Sequence, residues 1–358
     1  MSKLRVAIIG TGGISREHMQ GYLALPEDVE VVGLCDIDEE KVRNYAKNYG
    51  IDEKCVYFDY RKMLAEVKPD AVSVCTWNAE HKPATIAALE AGANVLCEKP
   101  MAMNTAEAME MEAVAKKTGK LLMVGFVRRF GNDAEVLTDF IKGGTLGELY
   151  YAKATYLRRN GWPGGWFGDK EYSGGGPVID LGVHVMDLVR YLAGNPKPVS
   201  VFAATYDNLG PNRAVGGRGA WTSSSHKKKD YKYNVEDFAS AMIRFDSGLT
   251  LSLETSFNLN IKKDVGNIEL FGTKGGASVS PEVEIYTDIN GRFVDVTPFG
   301  ETALSFNGLF AREIAHFVDC AKNGAPCRVS PADGVTLMRM IDAIYESAAT
   351  GHEVEIKY

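Results

Sequence analysis

An N-terminal doubly wound parallel sheet followed by an open, mostly antiparallel one, α/β and then α+β, is the architecture this sequence predicts. Three observations carry the prediction. Up to about residue 127, short apolar runs alternate with helix-period stretches, as in strands buried on both faces and covered by helices. After Gly144 the texture changes to longer stretches that alternate apolar and polar residues, the mark of a sheet with one face against helices. A length of 358 residues exceeds the usual single domain and allows a sizeable core in each of two.

Taken in order, residues 4–9, 29–35, 71–76, 94–97 and 120–124 read as strands, with helices over 39–49, 82–91 and 105–117. The alternating strands of the second part fall at 148–158, 199–206, 237–245, 249–257 and 267–271, and helices at 310–322 and 332–349 close the chain. The expected division is 1–127 and 128–358, with the final helix able to pack back on the first domain. There is no internal repeat or low-complexity tract.

A formal net charge of -7 argues against nucleic acid as a partner, because neutralising phosphates needs a concentrated basic surface. The apolar run before Gly10 is too short for a signal-peptide core or a membrane span, so a mature, cytoplasmic chain without a membrane partner is expected. Six cysteines are scattered without a C-x-x-C pair, and reduced thiols are expected, Cys35, Cys75 and Cys97 inside apolar strands. His316 and Cys320 stand one turn apart in a predicted helix, but two residues do not make a metal site and none is expected.

The first strand runs into Gly10, Thr11, Gly12, Gly13, Ile14 and Ser15, a dinucleotide fingerprint with serine at its third small position. Gly10 permits the tight turn, Gly12 admits a pyrophosphate to the backbone, and the next helix offers unpaired N–H groups to its charge. Asp36 ends the second strand, where a carboxylate accepts from both hydroxyls of an adenosine ribose and repels a 2′-phosphate. No arginine or lysine occurs within residues 36–40, so NAD is favoured over NADP. The first domain is therefore read as an NAD-binding Rossmann domain.

Ligands of such sheets bind at the carboxyl ends of the strands. There lie Thr76, Trp77, Asn78 and His81 after one strand, Glu98 and Lys99 after the next, and Arg128 after the last, all assigned to the cofactor. In the second domain a run of glycines, Gly174 to Gly176, opens a helix on which Asp180, His184 and Asp187 fall at i, i+4 and i+7 and share a face. Leu181, Val185, Leu188 and Leu192 form its apolar stripe. An acid and an imidazole on the edge of a buried helix point to proton handling, with a hydrogen-bonded core histidine as the competing account.

Together, Gly10-Thr11-Gly12, Glu98-Lys99-Pro100, the G-G-G-x-x-x-D-x-G-x-H run to His184, and the closing Glu346-Ser347-Ala348 resemble the Gfo/Idh/MocA family over essentially the whole chain. The resemblance implies an NAD(P)-binding Rossmann domain and a second domain whose open sheet walls the substrate site and often joins subunits. It implies an NAD-dependent dehydrogenase that takes hydride from a secondary hydroxyl of a sugar, glycoside or cyclitol, with Lys99, Asp180 and His184 as the catalytic set. It also implies a homodimer or homotetramer and a cis Lys99-Pro100 peptide. The chemistry has its own logic: as hydride leaves the carbinol carbon a base must take the hydroxyl proton, for which His184 is suited, while Lys99 stabilises charge on the oxygen. Asp180 orients substrate or balances the lysine; which of Lys99 and His184 takes the proton stays open.

The loop Arg158 to Gly168 carries Arg158, Trp162 and Trp166 toward the substrate, where indoles cover a sugar ring and arginine reads hydroxyls. The loop could equally be an oligomer contact or an ordered corner of the fold; within the family it resembles, a tryptophan- and arginine-rich loop at this place implies oxidation of a glucoside or pyranose ring. The alternatives are glycoside cleavage with retained NAD, and a nonenzymatic dinucleotide-sensing regulator, disfavoured by the intact Lys99, Asp180 and His184. The basic stretch 223–230 reads as a solvated excursion between strands.

Overall fold

The structure is a computed structural model that describes residues 2–211, 231–300, 302 and 308–358. The basic stretch 223–230 lies outside the described residues. The chain forms two compact units, Met1–Phe126 with Gly308–Met338, and Val127–Asn307 with Arg339–Tyr358.

In the first unit a parallel six-stranded sheet runs in the order β3-β2-β1-β4-β5-β6. The strands are β1 (Leu4–Ile9), β2 (Val29–Cys35), β3 (Val56–Tyr57), β4 (Ala71–Val74), β5 (Asn94–Glu98) and β6 (Leu122–Gly125). Order reverses beside β1, so the ends of β1 and β4 form the switch point where dinucleotides bind. Helices α1 (Ser15–Leu23), α2 (Glu39–Tyr49), α3 (Tyr60–Val67), α4 (Asn78–Glu90) and α5 (Thr105–Thr118) connect them. Asp38, Asp59 and Asn104 cap α2, α3 and α5 by accepting N–H bonds, and α2 and α5 stop at left-handed Gly50 and Gly119. The sequence pattern started α4 at residue 82, beside a proline that suits a first turn. The helix instead begins at Asn78 and holds Pro83 inside it.

The second unit contains α6 (Asn132–Lys142), β7 (Leu149–Leu157), α7 (Lys170–Ser173), α8 (Val183–Leu192) and β8 (Pro198–Tyr206). It continues with β9 (Phe238–Phe245), β10 (Thr250–Ser256), β11 (Val265–Gly272), β12 (Gly275–Ser278), β13 (Glu284–Ile289) and β14 (Arg292–Val296). Last come α9 (Leu309–Asn323), α10 (Pro331–Thr350) and β15 (Val354–Glu355). Among the described residues the sheet has nine strands, ordered β14-β13-β12-β11-β7-β10-β9-β8-β15. Its pairs are antiparallel except β10 with β7. Ala239, Ala241 and Ile243 on β9 and Leu251 and Leu253 on β10 are buried on one face, while Met242 and its partner Phe202 lie exposed on the other.

Residues 308–338, expected within the second domain, belong to the first unit. There α9 lies against α1 so closely that a Cβ on Gly21 would sit 2.8 Å from Ile314.

Asp187, which the spacing placed on the proton-handling face, has a different role. Arg129 donates through Nε to Oδ2 at 2.9 Å and through a terminal nitrogen to Oδ1 at 2.6 Å, with both side chains buried. Tyr191 lies beneath the guanidinium, 4.9 Å from its centre. This bidentate pair fixes α8 to the 3-10 turn Val127–Phe130. Asp187→Ala strands a buried guanidinium and should lower stability by about 3–5 kcal/mol in denaturant melts. A variant as stable as the parent would show that the pair does not hold α8.

Candidate active site

The cofactor half is built on the turn after β1. Gly10 has φ +88, and a Cβ there would sit 2.6 Å from the Cys75 carbonyl oxygen, so only glycine fits between β1 and β4. A Cβ on Gly12 would meet nothing within 4 Å, which leaves room for a ligand against the backbone. No side chain caps α1 at Ile14, so its first N–H groups suit a pyrophosphate. Ser15, the departure from the usual third glycine, is buried and donates to the Gly12 carbonyl at 2.8 Å. These residues fit NAD, which would supply the hydride acceptor.

Asp36 is tied to the same turn. Its Oδ2 accepts from the Thr11 N–H at 2.8 Å, the Thr11 hydroxyl at 2.9 Å and Lys41 Nζ at 2.7 Å, and its Oδ1 from the Asp38 N–H at 3.1 Å. Burial alone would raise this carboxyl, but the Lys41 charge and these hydrogen bonds outweigh it and hold it below the usual value. Lys41, one residue beyond the acidic stretch 36–40, thus pairs with Asp36.

At the end of β5, Glu98 is buried, with Oε1 2.9 Å from His18 Nε2 and Oε2 accepting the Lys99 N–H at 3.1 Å. His18 Nδ1 lies 3.0 Å from the Ser73 hydroxyl, itself 2.7 Å from the Tyr22 hydroxyl. Sequence reasoning missed His18, which sits within a helix and carries no local motif. Lys99 is half-buried and precedes Pro100 through a cis peptide. His81 was assigned to the cofactor, yet its Nδ1 lies 2.7 Å from the Pro100 carbonyl and its Nε2 3.3 Å from that of Thr76. Burial lowers its pKa and favours the neutral ring; the imidazole braces the turn carrying Lys99. Asn78 is buried at the start of α4, and Thr76 and Trp77 are half-buried beside it.

The second unit positions Asp180 and His184. Val178–Gly182 is a π-helical turn running into α8, where the Val183 N–H reaches the Val178 carbonyl. Asp180 is buried and His184 half-buried. Preceding them, Glu236 accepts the Gly176 N–H at 3.0 Å, the Val178 N–H at 3.1 Å and the Tyr345 hydroxyl at 2.9 Å. The glycine run follows from this packing: a Cβ on Gly175 would lie 2.0 Å from the Tyr345 hydroxyl, and one on Gly176 2.5 Å from the Glu236 carbonyl. Burial pushes the Glu236 carboxyl up, against the pull of these donors. Glu236 lies two residues before β9, where nothing local distinguishes it, and sequence reasoning missed it.

The loop residues assigned to substrate have structural partners. Arg158 donates to the Gly161 carbonyl at 2.9 Å and lies over the Tyr156 ring, closing its own loop. Trp162 packs edge-on against Tyr233 beside the core of Leu181, Val235 and Phe257. Trp166 stacks on Phe167 with centroids 3.8 Å apart and is half-buried. Arg128, assigned to the cofactor, belongs to the second unit, where its guanidinium lies 4.0 Å from buried Asp133.

Asp36→Ala should weaken NAD binding and narrow the preference over NADP; an unchanged coenzyme ratio in titrations would remove Asp36 from ribose recognition. The lowered pKa also has a signed consequence for stability. The Asp36 contribution is full above its unfolded pKa of about 3.9 and disappears as pH falls through the folded value, so Asp36→Ala should flatten the acid limb of a stability profile. Glu236→Gln turns an NH2 toward a backbone N–H and should cost about 1–3 kcal/mol. It should also lower kcat with NAD affinity unchanged, whereas Tyr345→Phe, which keeps both backbone bonds, should be milder. The reverse order would refute the clamp.

Residues 4–126 match the family model described as the oxidoreductase family, NAD-binding Rossmann fold, and residues 139–356 that of its C-terminal alpha/beta domain. The chain is 38% identical to D-glucoside 3-dehydrogenase of Escherichia coli K12 over 358 residues, 99% of this chain and 98% of the relative. It is 26% identical to levoglucosan dehydrogenase of Pseudarthrobacter phenanthrenivorans, over 99% of each chain. The crystal structure of aldose-aldose oxidoreductase from Caulobacter crescentus in complex with glycerol superposes with TM-score 0.80 at 26% identity, covering 99% of this chain and 100% of that one. With the two family models matched in order over residues 4–126 and 139–356, the chain belongs to the Gfo/Idh/MocA family of NAD-dependent oxidoreductases.

Proposed function

We propose that this enzyme oxidises a secondary ring hydroxyl of a glucoside or related pyranose to the ketone, with NAD as acceptor, and that carbon 3 is the site of attack. The observation that carries this reading is the 38% identity, end to end, with a D-glucoside 3-dehydrogenase. Lys99, Asp180 and His184, all present, support it.

Bound NAD supplies the nicotinamide carbon that receives the hydride. The half-buried His184 imidazole takes the hydroxyl proton as the carbonyl forms, since its ordinary titration range suits transfer in either direction. The Lys99 ammonium stabilises negative charge developing on the same oxygen, and the buried Asp180 carboxylate orients the sugar. Trp166 is the loop residue we retain for the sugar face. We further propose a cytoplasmic homodimer or homotetramer. Exposed Phe202 and Met242, paired on adjacent strands, support association through the sheet, and the free cysteines suit a reducing compartment. No helix among the described residues is long and apolar enough to cross a membrane.

The test is NADH absorbance with NAD or NADP against alkyl and aryl glucosides, free hexoses and inositols. Glucosides should give the highest kcat/KM, and the product should be the 3-keto sugar; a preference for inositols would overturn the substrate class. Aglycone release without net NADH would favour glycoside cleavage with retained cofactor. Lys99→Ala and His184→Ala should each cut turnover by ~10² or more while NAD affinity is nearly intact. If His184→Ala keeps the neutral-range ionisation of the pH profile, the proton belongs to Lys99.

A further inference from the structure

The first unit holds a second group of chemically capable side chains, which the proposed oxidation does not use. His316 and Cys320 stand one turn apart on α9, and beyond left-handed Gly324, φ +73, the chain reverses and brings Cys327 beside them. His316 Nε2 and Cys320 Sγ are 3.4 Å apart, and these two atoms and Cys327 Sγ all lie within 4.8 Å of one another. The sequence showed only the pair on the helix; the turn supplies the third donor.

We propose that His316, Cys320 and Cys327 form a zinc site, with water completing a tetrahedron. Two sulfurs and an imidazole select a borderline or soft ion and disfavour magnesium and calcium, which take oxygen ligands. Bond lengths of roughly 2.3 Å to sulfur and roughly 2.0 Å to nitrogen require tetrahedral edges of about 3.5 Å from nitrogen to sulfur and about 3.8 Å between sulfurs. The 3.4 Å from His316 to Cys320 already matches the first edge, and the other donor atoms lie within 4.8 Å. The Arg328 N–H donates to His316 Nε2 at 2.9 Å, so the ring proton sits on Nδ1, and zinc binding at Nε2 requires that backbone amide to move aside.

Binding exchanges that hydrogen bond for a Zn–N bond, breaks two S–H bonds and forms two Zn–S bonds, releasing two protons to solvent as the net charge of the ion and both thiolates becomes zero. Cys327 also gives up its contact with the Val329 carbonyl, at 3.1 Å. Asp319 and Arg328 face His316 with opposite charges. The bound ion would link α9 to the segment leading into α10, with one coordination position left to water.

The experiment is titration of the reduced, full-length protein with cobalt(II) as a spectroscopic stand-in, followed by displacement with zinc. The expected result is one ion per chain, tetrahedral visible bands and a thiolate-to-cobalt charge-transfer band. Cys320→Ser and Cys327→Ser should each abolish that band, His316→Ala should weaken binding, and all three variants should still bind NAD. No charge-transfer band in the parent protein, or a band that survives in the Cys320→Ser/Cys327→Ser double variant, would overturn the site. If the variants fail to bind NAD and so are misfolded, alkylation of the parent protein decides: zinc should protect Cys320 and Cys327 and leave Cys55 reactive. Unprotected Cys320 and Cys327, or a disulfide between them that persists with zinc present, would refute the proposal.

Discussion

The turns at which we place the chemistry depend on carboxylates that accept backbone N–H groups. A tight turn between a strand and a helix leaves amide donors without a ladder or helical partner, and a buried donor left so is costly. Asp36 serves the Thr11 amide, Glu98 that of Lys99, and Glu236 those of Gly176 and Val178. Each acid also has a side-chain partner, the Lys41 ammonium for Asp36, the His18 imidazole for Glu98 and the Tyr345 hydroxyl for Glu236, which fills acceptor positions that burial takes from water. The glycines follow from this arrangement. With a carboxylate and its partner packed against the turn there is no volume for a Cβ at Gly175 or Gly176, and at Gly10 the neighbouring strand fills the space.

The same device explains how a lysine at a strand end becomes a defined chemical group. Its backbone is held on one side by Glu98, itself fixed through His18 to Ser73 and Tyr22, and on the other by His81 through the Pro100 carbonyl. Ordering a lysine side chain from a mobile backbone would forfeit much of the advantage of having it near a reacting oxygen. Here the stem starts from a residue braced through three elements of one sheet layer. In the second unit Glu236 and the Arg129–Asp187 pair do the equivalent for the helix of His184, one at its entrance and one in its body.

What could be read from the sequence was what is periodic or local. The strands of the parallel sheet, the glycine turn with its acid, and the antiparallel strands from β7 to β11 were legible because burial imposes period or apolar runs on them. The two-residue β3 and the short α3 leave too few residues for a period to develop. The start of α4 was hidden by Pro83, whose usual place is a first turn, and the π-helical turn at Val178–Gly182 broke the simple i, i+4, i+7 count that had grouped Asp187 with Asp180 and His184. Partnerships across the chain were out of reach. Glu236 is sixty residues from Gly176, and His18 is eighty from Glu98. Neither leaves a mark near the motif it supports. For the same reason Arg158 and Trp162, in a loop rich in features associated with ligand binding, could not be told from residues that close and pack that loop.

Lone-pair accounting at Asp36 sharpens the basis of coenzyme choice. The carboxylate offers about four acceptor positions. Oδ2 already receives three donors, two from Thr11 and one from Lys41, so it belongs to the scaffold; Oδ1 receives the Asp38 amide and retains capacity for a ribose hydroxyl. Lys41, about one-third exposed, offsets part of the negative field that would repel a 2′-phosphate. If Asp36 contacts the ribose as proposed, discrimination for NAD rests less on bare charge than on an acceptor atom held where a phosphate would bring only further acceptors. Holding that atom in place is the work of Thr11, a residue of the pyrophosphate turn itself, so recognition of the two ends of the adenosine diphosphate is one mechanical unit.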